Sequence, residues 1–249
     1  MRILLTNDDG IYSPGLCALA EAASNFGQVR IVAPDVEQSS MAHAVTSSRP
    51  LSHRPAKIGR FEAFRVNGTP ADCVALGSHV WGGVDLVLSG VNIGLNVGNS
   101  MWHSGTLAAA KQASLLGMRG VALSAEETQD DYAILQPHIV DVIAHLLELN
   151  QLSLVNVNFP ANPRGVQFTR QSVRHYDGYI VPARDPHGRD IFWFAIKPLE
   201  APEPGTDRWA IEHDLVSVTP LRLDLTDHIA LEESLRKAGD SQRPTLPGS

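Results

Sequence analysis

The chain has 249 residues, 43% of them hydrophobic and 19% charged, with a formal charge of -7. That is enough apolar material for one large α/β domain with a smaller appendage. The acidic balance and the absence of a basic run exclude a protein that wraps a nucleic-acid polymer. No apolar stretch approaches the roughly 18 residues of a membrane span, and the start MRILLTNDDG has no signal-peptide core. Two distant cysteines, Cys17 and Cys73, exclude a disulfide framework and fit a reducing, cytoplasmic compartment.

Short apolar runs at Ile3 to Thr6, Val29 to Ala33, Leu86 to Ser89, Val121 to Ser124 and Leu154 to Val157 read as buried strands. Helical patterns lie between them, which predicts βαβ units and a parallel sheet. Gly15 to Phe26 carries a stripe of Leu16, Leu19, Ala20 and Ala23 and forms the first crossover helix. Thr69-Pro70-Ala71-Asp72 predicts a helix start, with Thr69 as N-cap, Pro70 in the first turn and Asp72 closing a capping box, and the helix runs to about Leu76. Asp131 to Leu149 predicts a longer helix with Ile134, Ile139, Ile143, Leu146 and Leu147 toward the sheet.

Beyond Gly165 the pattern turns to short β-like runs, Gln167 to Val173, Ile191 to Ile196 and Leu215 to Thr219, between Gly/Pro/Asp turns. The expected organisation is an α/β catalytic domain over 1–164, a β-rich extension over 165–227, and a short helix with a frayed tail over 228–249. Ile191, Phe192, Trp193 and Phe194 put apolar side chains on both faces of one strand, so one face needs cover from a second subunit.

Ligands of an open parallel sheet bind beyond the carboxyl ends of its strands. Three of those ends carry oxygen donors: Asp8 and Asp9 in Asn7-Asp8-Asp9-Gly10, Ser39 in Gln38-Ser39-Ser40, and Asn92 in Gly90-Val91-Asn92. Singly these residues make turns and caps. Jointly they form a hard-oxygen set, and adjacent carboxylates stay ionised at low cost only with a cation between them. The set favours magnesium, manganese or calcium over zinc. Neither a P-loop nor GxGxxG is present. Ser104-Gly105-Thr106 opens the helix former run Leu107 to Ala113, where capping by Ser104 and anion binding at free N–H groups are both open.

On these residues the chain resembles the SurE survival-protein family of 5'/3'-nucleotidases. The carrying segments are ILLTNDDGIYSPGL at the start, VAPDVEQSS at 32–40, NGTPADCV at 67–74, SGVNIGLNVG at 89–98 and HSGTLAAA at 103–110, followed by LVNVNFP, DPHGRDIFWF and VSVTPLRLDLT. The resemblance implies a doubly wound, mostly parallel, Rossmann-like sheet with a C-terminal β-rich extension, and an assembly of homodimer or homotetramer type. It implies hydrolysis of nucleoside monophosphates with one divalent ion, Mg²⁺ or Mn²⁺, per subunit. Asp8, Asp9, Ser39 and Asn92 fall on the family's metal positions, and Asn96, Ser104, Gly105 and Thr106 on its phosphate-facing loop.

The expected catalytic groups are Asp9 or Asp8 as acceptor of the water proton and His103 as donor to the leaving oxygen. A non-catalytic nucleotide-binding module and a broader phosphomonoesterase are the alternatives. The chain departs from the family pattern at Ser40, where glycine is common, at His103, where tyrosine is common, and at Gln112, where glutamate is usual. Ser40 strains its loop if that position needs a positive φ.

Overall fold

The computed structural model describes residues 1–127, 132–173, 176–198 and 201–238. In chain order the main elements are β1 (Arg2–Thr6), α1 (Pro14–Ala23), β2 (Gln28–Pro34), β3 (His53–Ile58), β4 (Phe61–Val66), α2 (Pro70–Trp81), β5 (Leu86–Ile93), α3 (Gly105–Leu115) and β6 (Arg119–Ala125). They continue with α4 (Gln136–Glu148), β7 (Leu154–Phe159), β8 (Gly165–Phe168), β9 (Tyr176–Arg184), β10 (Asp190–Pro198), α5 (Asp207–Glu212), β11 (Leu215–Pro220) and α6 (His228–Ala238).

Nine strands form one sheet in the order β3-β4-β2-β1-β5-β6-β7-β11-β8. The pairs from β4 through β7 are parallel, and the antiparallel pairs are β3 with β4 and β7 with β11. The chain starts in the middle at β1, winds outward through β2 to β4, then returns to β5 on the other side of β1. The loops after β1 and β5 therefore leave the sheet at its switch point, where a doubly wound fold opens a crevice.

Both faces of β1 are covered, which is why Ile3, Leu4 and Leu5 read as one run instead of an alternation. Ile3 and Leu5 join the core under α1 and α4, and Leu4 joins Val74 and Ala109 on the other face. All three are fully buried, so Leu4→Ala belongs to the class of core truncations that cost about 2–5 kcal/mol. The capping box starts α2 as read: Thr69 Oγ1 accepts from the Asp72 N–H, and the Asp72 carboxylate accepts from the Thr69 N–H. The helix continues to Trp81, where Gly82 at φ 69 ends it.

The structure departs from the sequence reading at several elements, and the strand expected over Gln167 to Val173 is instead Gly165–Phe168, followed by an isolated bridge at Arg170. The long helix begins at Gln136, because Pro137 belongs in a first turn, and Tyr132–Leu135 forms a separate 3-10 turn. Ile134 thus lies outside the amphipathic stripe and is exposed, while Ile139, Val142, Ile143 and Leu146 are buried. Asp131 lies outside the described residues. The hairpin of β3 and β4 was not expected, since His53-Arg54-Pro55-Ala56-Lys57 lacks apolar alternation; charges and a proline suit an edge strand.

The central sheet also runs past residue 164. β8 and β11 extend it beyond β7, whereas β9 and β10 pair only with each other as a separate antiparallel hairpin. Phe192, Trp193 and Phe194 on that hairpin are exposed. The chain after α6, read as a frayed tail, lies outside the described residues from 239 on.

Candidate functional site

β1 delivers its turn in a fixed shape. Asn7 is buried and its Nδ2 donates to the Gly10 carbonyl at 2.9 Å, closing the turn around Asp8 and Asp9. The Asp8 carbonyl accepts from the Gln38 N–H at 2.7 Å, which ties the loop after β2 to the loop after β1. The Asp8 side chain lies against the start of α3. Thr106 Oγ1 donates to Asp8 Oδ1 at 2.6 Å, and a Cβ on Gly105 would stand 2.8 Å from the Asp8 Cβ, a close approach only glycine permits.

Asp9 Oδ2 accepts from the Ile93 N–H at 3.3 Å, which brings the end of β5 to the same point. Asn92 donates its Nδ2 to the Gly94 carbonyl at 2.6 Å, leaving its Oδ1 without a hydrogen bond among the described residues. Ser39 donates its hydroxyl to Glu37 at 2.8 Å and keeps its oxygen lone pairs. The next residue, Ser40, has φ 61, so the loop does impose a left-handed conformation where the chain has no glycine.

Burial raises the Asp8 carboxyl above its ordinary value, with the Thr106 hydrogen bond the main opposing effect. Burial and then the Asp8 charge push Asp9 up to about 7. Two carboxylates so placed are poor company for each other and good company for a cation. Among the described residues no three His, Cys, Asp or Glu side chains cluster. The residues fit a hard divalent ion, having oxygen donors and no nitrogen or sulfur.

Asp8, Ser39, Asn92, Asn96, His103 and Ser104 line one cavity of about 750 Å³. That volume is within the range of small-molecule sites. Of the residues expected to face phosphate, Asn96 and Ser104 are on its wall, and Ser104 Oγ also caps α3 by accepting from the Leu107 N–H. Thr106 is fully buried with its hydroxyl spent on Asp8, which places it behind the carboxylate instead of in the cavity. Gly105 is likewise buried beside Asp8.

Two groups of residues escaped the sequence reading. Asn156 and Asn158 stand on one face of β7, both fully buried. Asn158 Oδ1 accepts from the Asn96 N–H at 2.8 Å, and Asn156 Nδ2 donates to the Asn96 carbonyl at 2.7 Å. Both backbone groups of Asn96 are thus held by side chains, while its own Nδ2 donates to Ser124 at 2.9 Å. The only signal in the sequence was a pair of asparagines two apart in a strand, where asparagine is depleted. The cavity is also lined by Glu127, Ser172, Phe194 and Arg208, from four separate segments with no motif spacing.

The model of the family described as survival protein SurE matches residues 3–178. The 5'-nucleotidase SurE 1 of Thermus thermophilus is 44% identical over 241 residues, covering 93% of this chain and 96% of that protein. The 5'-nucleotidase SurE of Deinococcus radiodurans is 41% identical, with 90% and 88% covered. The crystal structure of the SurE protein from Aquifex aeolicus superposes with a TM-score of 0.81 at 37% identity, covering 96% of this chain and 99% of that one.

Proposed function

Because the chain belongs to the SurE survival-protein family, we propose that it is a divalent-metal-dependent phosphatase that hydrolyses nucleoside 5'- and 3'-monophosphates to nucleoside and phosphate. The observation that carries this reading is the Asp8–Asp9 turn at the switch point, where Asp8 lines a cavity of about 750 Å³ together with Ser39, Asn92, Asn96 and Ser104. Asp8, Asp9, Ser39 and Asn92 hold one Mg²⁺ or Mn²⁺. When bound, the ion neutralises phosphoryl charge and acidifies a water molecule.

The protein's own groups supply the rest. Thr106 and Gly105 fix the orientation of Asp8, the first by its hydrogen bond and the second by the room it leaves. Asn96 and Ser104 flank the phosphoryl group at the N-terminus of α3, whose dipole favours an anion. Asp9, beside Asp8 at the end of β1, takes the proton of the attacking water. His103, on the cavity wall, gives a proton to the leaving oxygen. Phe194 and Arg208, also on the cavity wall, meet the nucleoside.

One exposed aromatic ring, Phe194, makes no two-sided sandwich for a base, so purine and pyrimidine monophosphates should differ by no more than ~200-fold in kcat/KM. The projecting β9–β10 hairpin, with its exposed Phe192 and Trp193, supports assembly as a homodimer or homotetramer. No helix among the described residues is long and apolar enough to cross a membrane. The proposed setting is the cytoplasm.

The test is phosphate release from a panel of nucleoside monophosphates after chelation and after return of Mg²⁺ or Mn²⁺. Release that stops on chelation and returns with the ion supports the reading. Tight binding of a monophosphate without release would mark a non-catalytic module, and equal rates on phosphorylated sugars would mark a broader phosphomonoesterase.

A further inference from the structure

A second polar hollow, of about 200 Å³, lies at the carboxyl ends of β2 and β4, lined by Asp35, Ser52, Arg54, Arg65 and Asn67. Arg54 and Arg65 are direct partners across the antiparallel β3–β4 pair. Like charges facing each other across a strand pair destabilise it. Other arginines in strands of the main sheet or beside it meet a carboxylate, as Arg30 meets Glu62, Arg60 meets Glu21 and Arg170 meets Glu203. No ion pair or hydrogen bond engages the guanidinium of Arg54 or Arg65 among the described residues, and the Asp35 carboxylate on the same wall pairs with neither.

The remaining lining groups are donors as well. Asn67 Oδ1 accepts from the Ser52 N–H at 2.8 Å, which orients the amide and leaves its Nδ2 free among the described residues. The Ser52 hydroxyl is free in the same sense. Edge protection explains a charge on β3, since β3 is an edge strand. It gives no account of Arg65, which is half-buried on the strand between β3 and β2.

We propose that this hollow is an anion site, separate from the catalytic cavity, that takes inorganic phosphate between the Arg54 and Arg65 guanidinium groups. Two guanidinium forks and two neutral donors match the oxygens of a tetrahedral anion, and two positive charges outweigh the single Asp35 carboxylate. The volume is below the roughly 300 Å³ at which pockets begin to hold drug-sized ligands, so it suits the free ion and not a nucleotide. Binding relieves the repulsion between the arginines, needs no cation, and stabilises the fold by mass action.

The experiment is thermal unfolding of the full chain in chelator, in phosphate against chloride of equal ionic strength, for the wild type, Arg54→Gln and Arg65→Gln. The wild-type Tm should rise by about 3–6 °C once phosphate reaches roughly ten times its Kd. General exclusion of phosphate from protein surface acts on all three proteins alike. Arg54→Gln, an exposed substitution safe for folding, should start at a higher Tm in chloride and lose at least half of the phosphate increment. Equal increments in the wild type and Arg54→Gln overturn the site, and so does a lower Tm of Arg54→Gln in chloride. A nucleoside monophosphate in place of phosphate should give a shift that Arg54→Gln leaves unchanged. If that shift falls together with the phosphate shift, the assignment to the free ion is wrong.

Discussion

Replacing Asp9 with Asn tests whether the paired carboxylates sit under strain until a cation arrives. In the metal-free protein, burial and then the Asp8 charge raise Asp9 from 3.8 to about 7. The folded chain thus holds this proton more tightly than the unfolded chain does. Stability from this group is fully present below about pH 4 and is lost as pH rises from there through about 7. A tenfold change in proton affinity corresponds to about 1.4 kcal/mol, which sets a ceiling of ~4 kcal/mol. Asp9 is only partly buried, so solvent screening reduces this to about 2–3 kcal/mol. Asp8 and Asp9 interact, so the pH profile belongs to the pair.

Urea unfolding in chelator at pH 5 and pH 8 reads the effect, provided the slopes stay equal. Between those two values the wild type should lose about 2 kcal/mol more than Asp9→Asn does, on the same linkage. Saturating Mg²⁺ should remove most of that difference by restoring the wild type at pH 8. Identical pH dependence for the two proteins without metal would refute the reasoning.

Asn158→Leu removes the acceptor for the Asn96 N–H in a fully buried position, so unfolding free energy should fall by about 2–3 kcal/mol. Its KM for a nucleoside monophosphate should rise at least ~10-fold while cation affinity from calorimetry holds, in line with losses at supporting groups of a site. Ser40→Gly relieves a left-handed residue worth about 1–2 kcal/mol against a glycine entropy cost of about 0.5–1. A small net gain in Tm is expected, and a fall would contradict it. Asp72→Ala opens the capping box and orphans the Thr46 N–H, costing about 2–3 kcal/mol by urea unfolding. Burial opposes ionisation of Asp72, but hydrogen bonds from Thr46 and Thr69 hold it below the usual carboxylate range. Its contribution is therefore present above about pH 4 and fades below that, and the gap between Asp72→Ala and wild type should narrow there.

The central strands were legible because parallel strands buried on both faces read as apolar runs, as Ile3 to Leu5 do. Thr69, Pro70 and Asp72 were legible because a capping box lies within four residues. The strand β3 was not, since an edge strand carrying Arg54, Pro55 and Lys57 lacks the alternation that marks burial. At the site, the acidic pair and the loop residues stood out as short motifs at strand ends. Thr106 reads as a phosphate contact because its motif shows a hydroxyl at a helix start, while in the folded chain that hydroxyl donates to Asp8. Asn156 and Asn158 escaped because alternation in LVNVNF reads as a solvent-facing side, whereas that side meets Asn96. Glu127, Ser172, Phe194 and Arg208 converge only through tertiary folding.

The proposed phosphatase holds one hard divalent ion among the oxygens of Asp8, Asp9, Ser39 and Asn92. Anomalous diffraction from crystals soaked in Mn²⁺ measures this directly. One peak per chain, about 2.0–2.3 Å from oxygens of these side chains, is the expected result. A peak outside the Asp8–Asp9 turn, or none at saturating Mn²⁺ in protein that releases phosphate, would contradict it.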